Sequence, residues 1–464
     1  MAERSEVGCG APPFDPRRGA VQNRRNGAGG GVAGRIDRVA IVGGGFSGAM
    51  LAARLAEVGI ASTLINRTPD FGLGVAYSTP FAGHLLNVRS SRMSALADQP
   101  DHFVRWLEAN EPELADPDGF APRLIFGRYV QARLAEVEAA YPKRIHRVTG
   151  EVASVETDGV ALSDGRHVAS DAVVLTTGNP APKTASGRSP RVLSDPWAPG
   201  ALEAIGADDD VLIVGAGLTM VDMLQALDGH GWRGRAQALS RRGLLPRAHA
   251  DLPDPPEAPN PAMLEGPLSA RMKASRAVAR AAGWREMMEG LRPITADLWA
   301  KADLATRRGI VRHLRPWWDV HRHRIAPRIG RFIDGLVAEG RLSVVAGRVK
   351  GITTTDAEVR LDWMRRGQAQ APLTAAWLID CTGPGHAPEA DPVTGPLLVS
   401  GRARLDPLRL GLELDGYGRV LAADGRADPR LLVLGPPARA AFWETIAVPD
   451  IRKRIEDVVA ALKG

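Results

Sequence analysis

Glycines spaced for phosphate binding are the clearest chemical signal in this chain of 464 residues. Gly43, Gly45 and Gly48 directly follow the apolar run 39–42, with the spacing G-x-G-x-x-G. In this spacing the first glycine permits a tight turn, the second lets the backbone approach a pyrophosphate, and the third lets a helix pack closely on the sheet. The free N–H groups of that helix face the anion. The motif predicts dinucleotide binding, and the alternative is a purely structural glycine turn.

The residue that ends the next strand departs from this pattern. An acidic residue usually binds the ribose hydroxyls there, whereas this chain has Asn66. The amide carbonyl of Asn66 can accept one such hydrogen bond, so we expect ribose binding to be weakened rather than lost. The neighbouring Arg67 is placed to lie against the adenine.

A second glycine motif follows the apolar run 211–214. Gly215 and Gly217 keep the first two positions of the pattern, and Met220 occupies the third. A methionine there requires a wider contact between the helix and the sheet. The second motif therefore predicts another nucleotide-binding unit, although it is weaker evidence than the first.

The strand after the second motif ends in a hydroxyl and two guanidinium groups, those of Ser240, Arg241 and Arg242. These groups suit the 2′-phosphate of NADPH, because arginine binds phosphate through two parallel hydrogen bonds. We expect NADPH to be preferred, and NADH stays possible. The alternative interpretation is a solvated arginine pair at the end of a strand.

Histidines and arginines crowd the segment 312–324. His321, Arg322, His323 and Arg324 are our candidate catalytic residues, because a histidine can donate a proton and an arginine can anchor an anionic substrate. The alternative is an interdomain helix in which these residues pair with nearby acids. His321 and His323 are two residues apart and face different ways on a helix, so we predict no metal site.

The elements that position these residues form two similar halves. Each half has a strand, a glycine turn, a helix and a strand, and then short strands with turns, in 145–175 and in 342–379. Each run of short strands closes on Thr-Gly, at Gly178 and Gly383, which we include among the cofactor-binding residues. The fold class predicted is α/β, with two Rossmann-like dinucleotide-binding domains, a helical insertion and β meanders.

Composition narrows the classes of function. The chain is 44% hydrophobic and 24% charged, and no apolar stretch approaches the roughly 18 residues of a membrane span. The net charge of +6 is concentrated in residues 1–35 and 271–331 and comes with no nucleic-acid-binding motif. Cys9 and Cys381 are the only cysteines, so the chain lacks a redox-active CxxC pair. We expect a cytoplasmic protein that binds neither nucleic acid nor membrane.

Several further blocks resemble the FAD/NAD(P)-binding family that includes FAD-dependent urate hydroxylase and aspartate N-monooxygenase. The likeness extends over about residues 36–462. The blocks are GVAYST at 74–79, HLLNV at 84–88, RMS at 92–94, DHFVRWL at 101–107, RRGLLPR at 241–247, WDVHRHR at 318–324, LGP at 434–436 and WETIAVP at 443–449.

This resemblance implies FAD on the first Rossmann-like domain and a nicotinamide nucleotide on the second. It also implies that the C-terminal segment returns to the flavin domain and brings Gly435 near the ribityl chain or the isoalloxazine ring. The loop 84–93, with Asn87, Val88 and Met93, is implied to line the flavin. The alternative for this loop is ordinary packing of a surface loop.

The hypothesis that follows is an FAD-dependent, NAD(P)H-consuming monooxygenase that uses O₂ to hydroxylate a small anionic or zwitterionic substrate. Urate-type purines and amines or amino acids are both open. The alternative function is a non-catalytic flavin- and nucleotide-binding module that senses redox state or docks a partner. We place a hinge near residues 180–200. The predicted domains are a disordered extension at 1–35, the FAD-binding domain at 36–190 and 373–464, and the NAD(P)-binding domain at 191–372 with its helical insertion at 262–340.

Overall fold

The computed structural model describes residues 35–180, 189–253, 255–383, 385 and 388–463. Residues 1–34 of the predicted disordered extension and residues 181–188 of the predicted hinge lie outside the described residues. From Ile36 onward the described chain forms one compact unit. None of the helices in the described ranges is long and apolar enough to cross a membrane.

The strands of the described chain are short and mostly buried. They are β1 Arg38–Val42, β2 Ala61–Asn66, β3 Ile145–Thr149, β4 Val152–Val155, β5 Gly159–Leu162, β6 His167–Ala169, β7 Ala172–Leu175, β8 Val192–Leu193, β9 Val211–Val214, β10 Ala236–Ser240, β11 Leu342–Ala346, β12 Arg348–Thr354, β13 Val359–Arg365, β14 Gln368–Ala369, β15 Leu373–Ala375, β16 Trp377–Asp380, β17 Arg419–Leu421 and β18 Ala427–Val433.

The helices range from single turns to 18 residues. They are α1 Phe46–Glu57, α2 Gly74–Tyr77, α3 His102–Asn110, α4 Arg123–Ala140, α5 Leu218–Gly229, α6 Leu268–Ala281, α7 Trp284–Leu291, α8 Thr295–Lys301, α9 Leu304–Gly309, α10 Arg315–Arg322, α11 Pro327–Ala338, α12 Thr394–Val399, α13 Arg439–Phe442 and α14 Val448–Lys463.

The first sheet has six strands in the order β17-β18-β7-β1-β2-β3. All neighbours pair in parallel except the edge strand β17, which is antiparallel to β18. The apolar run of β1 is buried from Val39 to Val42, as expected of a parallel strand covered on both faces. Strand β18 brings the C-terminal part of the chain back beside β7, as the resemblance implies.

The second sheet has five parallel strands in the order β11-β10-β9-β16-β8. Strand β16, Trp377–Asp380, pairs with β9, so the chain leaves this sheet only after Asp380, although the predicted boundary falls at residue 373. The connection from β10 to β11 contains helices α6 to α11, which corresponds to the predicted helical insertion. A turn of π-helix, Ile310–Leu314, interrupts it before α10.

Two small antiparallel sheets follow the glycine units. Strands β4, β5 and β6 form one, and β12 to β15 form the other. Strand β3, predicted as part of the first run of short strands, instead extends the first parallel sheet beside β2. Together with the parallel sheets, these meanders confirm the predicted α/β fold class.

Each parallel sheet is covered on both faces. Helices α1, α4 and α14 pack on one face of the first sheet, and β4, β5 and α12 pack on the other. Helices α5 and α11 cover the second sheet, opposite β13. Helix α1 is buried almost all round, because it lies between the sheet and the helices α4 and α14.

Gly48 allows helix α1 to lie this close to the sheet. A Cβ at Gly48 would overlap the carbonyl oxygen of Gly43 and lie 3.1 Å from Leu64 Cδ1. The third glycine of the motif is therefore required by packing, as the sequence predicts.

We expect Gly48→Ala to lower the free energy of unfolding by about 1–3 kcal/mol, the usual cost of overpacking a core. Gly335→Ala is the matched control. Gly335 lies inside helix α11, and its added Cβ would meet no atom within 4 Å. The control should be stabilised by about 0.5–1 kcal/mol. Urea unfolding followed by circular dichroism measures both, and equal stability of the Gly48 variant and the wild type would contradict the packing argument.

Candidate functional site

The first glycine turn joins the end of β1 to the start of α1. The backbone N–H of Gly43 donates to the Ile65 carbonyl, at 2.9 Å. Gly45 is the N-cap residue of helix α1 and has no side chain to cap it, so the first N–H groups of the helix have no side-chain partner among the described residues. Within 4 Å, a Cβ at Gly45 would meet only backbone atoms of Gly74, the nearest at 3.4 Å. The turn is an uncapped helix N-terminus of the kind that binds a phosphate.

Asn66 is part of the turn itself. Its Oδ1 accepts a hydrogen bond from the Gly44 N–H at 3.1 Å, and its Nδ2 donates to the Thr68 carbonyl at 2.9 Å. These contacts orient the amide, so Asn66 stabilises the glycine turn in addition to its predicted role toward the ribose. Arg67 is exposed beside it.

Two more of the predicted cofactor residues lie at the same edge of the first sheet. Gly178 follows β7 and Gly435 follows β18, and both strands run parallel to β1. Both glycines have positive φ, +73° and +83°. A Cβ at Gly435 would lie 2.6 Å from Ser47 Oγ in the first turn of α1, and the Gly435 carbonyl accepts a hydrogen bond from Thr445 Oγ1. The structure therefore brings Gly435 to the first glycine turn.

The second glycine turn has the same construction. Gly215 directly follows β9 and has φ +104°, close to the +112° of Gly43. Gly217 is the N-cap residue of helix α5 and has no side chain to cap it, and a Cβ added at Gly217 would meet no atom within 4 Å. Gly383 follows the parallel neighbour β16, and Ser240 ends β10. All these predicted residues thus lie at one edge of the second sheet.

Ser240 and the two arginines after it differ in their contacts. Ser240 Oγ accepts a hydrogen bond from the Gly243 N–H at 3.0 Å and so shapes the turn after β10. Arg241 and Arg242 are exposed, and the structure shows no ion pair for either within the described ranges. Their guanidinium groups are accessible at the same edge as the glycine turn.

The loop predicted to line the flavin is held from several sides. The Asn87 carbonyl accepts a hydrogen bond from His249 Nε2 at 3.1 Å. Val88 is partly buried and Met93 is buried in the core that covers α1. Arg89 is buried, and its guanidinium donates to backbone carbonyls, including that of Ala250 at 2.8 Å.

A cavity of about 170 Å³ opens beside this loop. Four parts of the chain form its walls: the loop itself, Asp118, the segment after Arg247, and side chains from the helical insertion. Its lining residues are Asn87, Val88, Arg89, Ser91, Arg92, Asp118, His249, Ala250, Pro253, Glu289, Arg292, Arg322 and Arg324. We refer to it as the arginine cleft.

Glu289 is the acidic centre of the arginine cleft. It forms a salt bridge to Arg92 at 2.7 Å and another to the buried Arg324. Burial alone would raise the pKa of Glu289, but the positive charges of Arg324 and Arg92 outweigh it and lower the pKa to about 2. Glu289 is therefore ionised throughout the physiological range.

The other arginines of the cleft are less fully paired. Arg322 lies 3.5 Å from the carboxylates of both Glu444 and Asp450. Arg292 has no ion pair within 4 Å among the described residues, and burial together with Arg322 lowers its pKa to about 10. Three buried donor atoms have no hydrogen-bond partner there, namely Arg292 Nη2, Arg322 Nε and Arg324 Nε. The cleft can therefore accept further negative charge.

The four candidate catalytic residues separate into two pairs. Arg322 and Arg324 line the cleft, whereas His321 and His323 do not. The Nδ1–H of His321 donates to the Trp317 carbonyl at 2.8 Å, and the ring packs edge-on against Trp284. Burial and the nearby Arg322 lower the pKa of His323 to about 3, so this histidine is neutral at pH 7.

Several side chains of the cleft were not predicted from the sequence as site residues. Arg92, Glu289 and Arg292 come from different elements, and no short motif connects them. The excess of basic residues in 271–331 is the one signal that includes Arg292. His249 follows the RRGLLPR block closely, and burial followed by the charge of Arg324 lowers its pKa to about 3.

Comparisons with known proteins agree with this architecture. Residues 40–180 match a family model described as FAD-NAD(P)-binding. The cadaverine monooxygenase of desferrioxamine biosynthesis from Erwinia amylovora has a similar structure, with a TM-score of 0.64 and 13% identity over 93% of this chain and 95% of that one. The ornithine N-hydroxylase from Kutzneria sp. 744 has a TM-score of 0.61 and 16% identity, over 92% and 99% of the chains.

A thioredoxin reductase from Lactococcus lactis shares the fold less closely. Its TM-score is 0.50 at 11% identity, over 92% of this chain and 99% of that chain. The family-model match confirms the resemblance for residues 40–180, and the structural likenesses confirm the predicted fold. At these identities the likenesses show the fold alone.

The charge of Glu289 can be tested with Glu289→Gln. We expect the variant to lose about 3 kcal/mol of unfolding free energy at pH 7, because the buried Arg324 then lacks its carboxylate. The low pKa of folded Glu289 makes this contribution complete above about pH 4.5, and it is lost as the pH falls toward about 2. The difference from the wild type in urea unfolding should therefore shrink below pH 4.5.

Glu286→Gln is the matched control for this prediction. Glu286 lies one turn earlier on α7 and takes part in no ion pair in the part of the chain that the structure describes. Its variant should match the wild type at every pH. A loss of stability in the Glu289 variant that stays constant from pH 7 to pH 3 would contradict the assignment.

Proposed function

We propose that this protein is a flavoprotein monooxygenase that binds FAD at the first glycine turn and a nicotinamide nucleotide at the second. One observation carries the proposal: a single chain contains two glycine turns of nearly equal φ, each at the carboxyl edge of a parallel sheet. Dinucleotides bind at such edges. The chain thus has one site for the electron donor and one for the flavin.

The first turn is assigned to FAD. The family model that matches residues 40–180 describes FAD-NAD(P)-binding proteins, and the returning C-terminal segment places Gly435 beside Ser47. Both helix N-termini fit a pyrophosphate, because neither has a capping side chain. On this assignment the FAD-binding domain comprises residues 36–190 and the part of the chain after Asp380, and residues 191–380 form the nicotinamide-binding domain.

The cysteine content argues against the reductase chemistry that the same fold can support. A disulfide reductase needs a pair of accessible thiols, whereas this sequence has two cysteines and no CxxC. Cys381 is buried, and burial followed by the charge of Asp380 raises its pKa well above its ordinary value. Monooxygenase chemistry requires no protein thiol, and the structural neighbours include a cadaverine monooxygenase and an ornithine N-hydroxylase.

The arginine cleft supports a small anionic substrate. The guanidinium groups of Arg292, Arg322 and Arg324 line the cleft and can bind a carboxylate or another oxyanion, since hydrogen bonds to ionised groups are the strong ones. The loop predicted to line the flavin forms another wall of the same cleft. An amino acid and a urate-type purine both carry the required charge, and the amine substrates of the structural neighbours favour the amino acid.

In the proposed reaction the cofactor supplies the redox chemistry, and the protein binds and orients the substrate. When bound, FAD accepts a hydride from the nicotinamide nucleotide and activates O₂ for transfer of one oxygen atom to the substrate, the other leaving as water. The buried arginines orient the substrate anion. His249 holds the Asn87 carbonyl, and with it the loop at the cleft.

The proposal predicts a yellow purified protein that retains FAD and oxidises NADPH with uptake of O₂ when the substrate is added. Gly45→Asp is the control, because its carboxylate would oppose the pyrophosphate; we expect a folded protein without flavin. A substrate screen should compare urate, acidic and neutral amino acids, and simple amines. A wild-type protein that lacks flavin would overturn the proposal, and a flavin-containing protein with no turnover in this screen would favour the redox-sensing alternative.

We propose NADPH as the preferred electron donor, with the two exposed arginines after β10 reading its 2′-phosphate. Replacing Arg241 and Arg242 with Ala should raise the KM for NADPH by about ten- to a hundredfold, from the loss of about 1.5–3 kcal/mol of charge-assisted hydrogen bonding. The KM for NADH should stay unchanged, because NADH lacks this phosphate. Arg360→Ala, at an exposed position on β13, is the control. Equal changes for both nucleotides would show that the pair does not read the phosphate.

A further inference from the structure

Arg123, the first residue of helix α4, contacts both halves of the protein. Its Nε donates to the Leu85 carbonyl at 3.0 Å, and its backbone N–H donates to the His84 carbonyl at 2.8 Å. Its two terminal nitrogens donate to the two carboxylate oxygens of Asp222, at 2.9 and 3.0 Å. The guanidinium thus holds the start of the loop predicted to line the flavin and, at the same time, a residue of α5.

Asp222 lies on the helix that follows the second glycine turn. It is the fifth residue of α5, and its side chain is 7% exposed, compared with 13% for Arg123. The pair is two-pronged and largely shielded from water, which is the geometry in which an arginine–carboxylate pair fixes an orientation.

His84 adds a second buried contact between the same two elements. Its Nε2 donates to the backbone carbonyl of Asp222 at 2.9 Å, and its Nδ1 accepts from Thr79 Oγ1 at 2.7 Å. A neutral histidine with its proton on Nε2 satisfies both contacts. The ring of Phe81 packs at the other end of α5, so close to Gly229 that a Cβ there would lie 2.5 Å from it.

We propose that Arg123, Asp222 and His84 act as an interdomain clamp that orients the nicotinamide-binding unit for reduction of the flavin. The proposal rests on the function proposed above. Helix α5 begins at the turn assigned to the nicotinamide nucleotide, and the loop held by Arg123 leads directly into Asn87 and Val88 at the arginine cleft. The three residues act by positioning, and none of them contacts the reacting atoms.

The proposed clamp affects the rate of only one half-reaction, the reduction of the flavin by the nicotinamide nucleotide. Hydride transfer depends steeply on the relative position of the two rings, and a misplacement of about 1 Å can cost about a hundredfold in rate. Reaction of the reduced flavin with O₂ transfers no hydride from the nicotinamide, so it does not depend on the relative position of the two rings. The clamp should therefore affect reduction by NADPH and leave reduction by dithionite and reoxidation by O₂ unchanged.

The test uses the full-length holoenzyme in anaerobic stopped-flow reduction with saturating NADPH. The variants are Arg123→Lys, which keeps the charge but loses the two-pronged geometry, Asp222→Asn, and the double variant Arg123→Met with Asp222→Leu, which replaces the pair by apolar side chains. For each we expect flavin reduction by NADPH at least about tenfold slower per bound flavin. Dithionite reduction and reoxidation should stay within about twofold of the wild type.

Arg133→Lys is the matched control. Arg133 lies on the same helix, its side chain is 12% exposed, and it pairs with Glu57 inside the first unit. Its variant should reduce at the wild-type rate. Unchanged NADPH-driven reduction in Asp222→Asn and in the double variant would overturn the proposal, even if their melting temperatures fall.

Hydrogen exchange separates the clamp from the proposed function, because it needs no cofactor. In the Asp222 and double variants, the amides of residues 79–88 and of α5 should lose protection together, while those of α1 keep theirs. Full protection of both segments would overturn the clamp. If the wild-type protein contains no FAD and the variants still lose protection, the three residues do connect the two units, and it is the proposed function that is overturned.

Discussion

Two backbone carbonyls, those of Thr176 and Cys381, set the geometry of both nucleotide-binding turns. The Thr176 carbonyl lies where a Cβ on Gly43 would be, and the Cys381 carbonyl lies where a Cβ on Gly215 would be. The positive φ of these glycines follows from the close approach of neighbouring parallel strands, since only glycine enters that region without steric cost. The chain then leaves each strand as a helix with an uncapped N-terminus. Both candidate cofactor sites depend on this one steric constraint.

The arginine cleft depends on a different constraint, the cost of burying charge. Arg322 and Arg324 are almost fully buried, and such groups persist only where acids or other acceptors lie close. Glu289, Glu444 and Asp450 supply part of that charge, while Arg292 and several guanidinium N–H groups stay unpaired in the described chain. An anionic substrate, as proposed above, would supply the missing charge, so the same electrostatic imbalance would favour its binding.

Local patterns were enough to predict the glycine units, because each strand, turn and helix is contiguous in sequence. The return of the C-terminal segment to the first domain followed only from the family resemblance, and the pairing of β18 with β7 was not predicted, because it joins residues far apart in the chain. The side chains of the arginine cleft were harder to predict from the sequence than the sheet. Helix α10 ends at Arg322, and His323 leaves the helical conformation with ψ 78°. Because the helix ends there, Arg324 lines the cleft and His323 does not. The run of basic residues in the sequence does not indicate which of its side chains face the cleft.

The two glycine units also differ in what positions their helices. In the first unit, Gly48 lets α1 rest against the Gly43 carbonyl, so the helix is located by its own sheet. The second unit has the fully buried Met220 at that position. With a bulky side chain in place of this contact, α5 has polar anchors outside its own unit, from Arg123 and His84. Under the proposed clamp these anchors position α5 where the third glycine is absent, and the orientation of the second site is then set from the first unit.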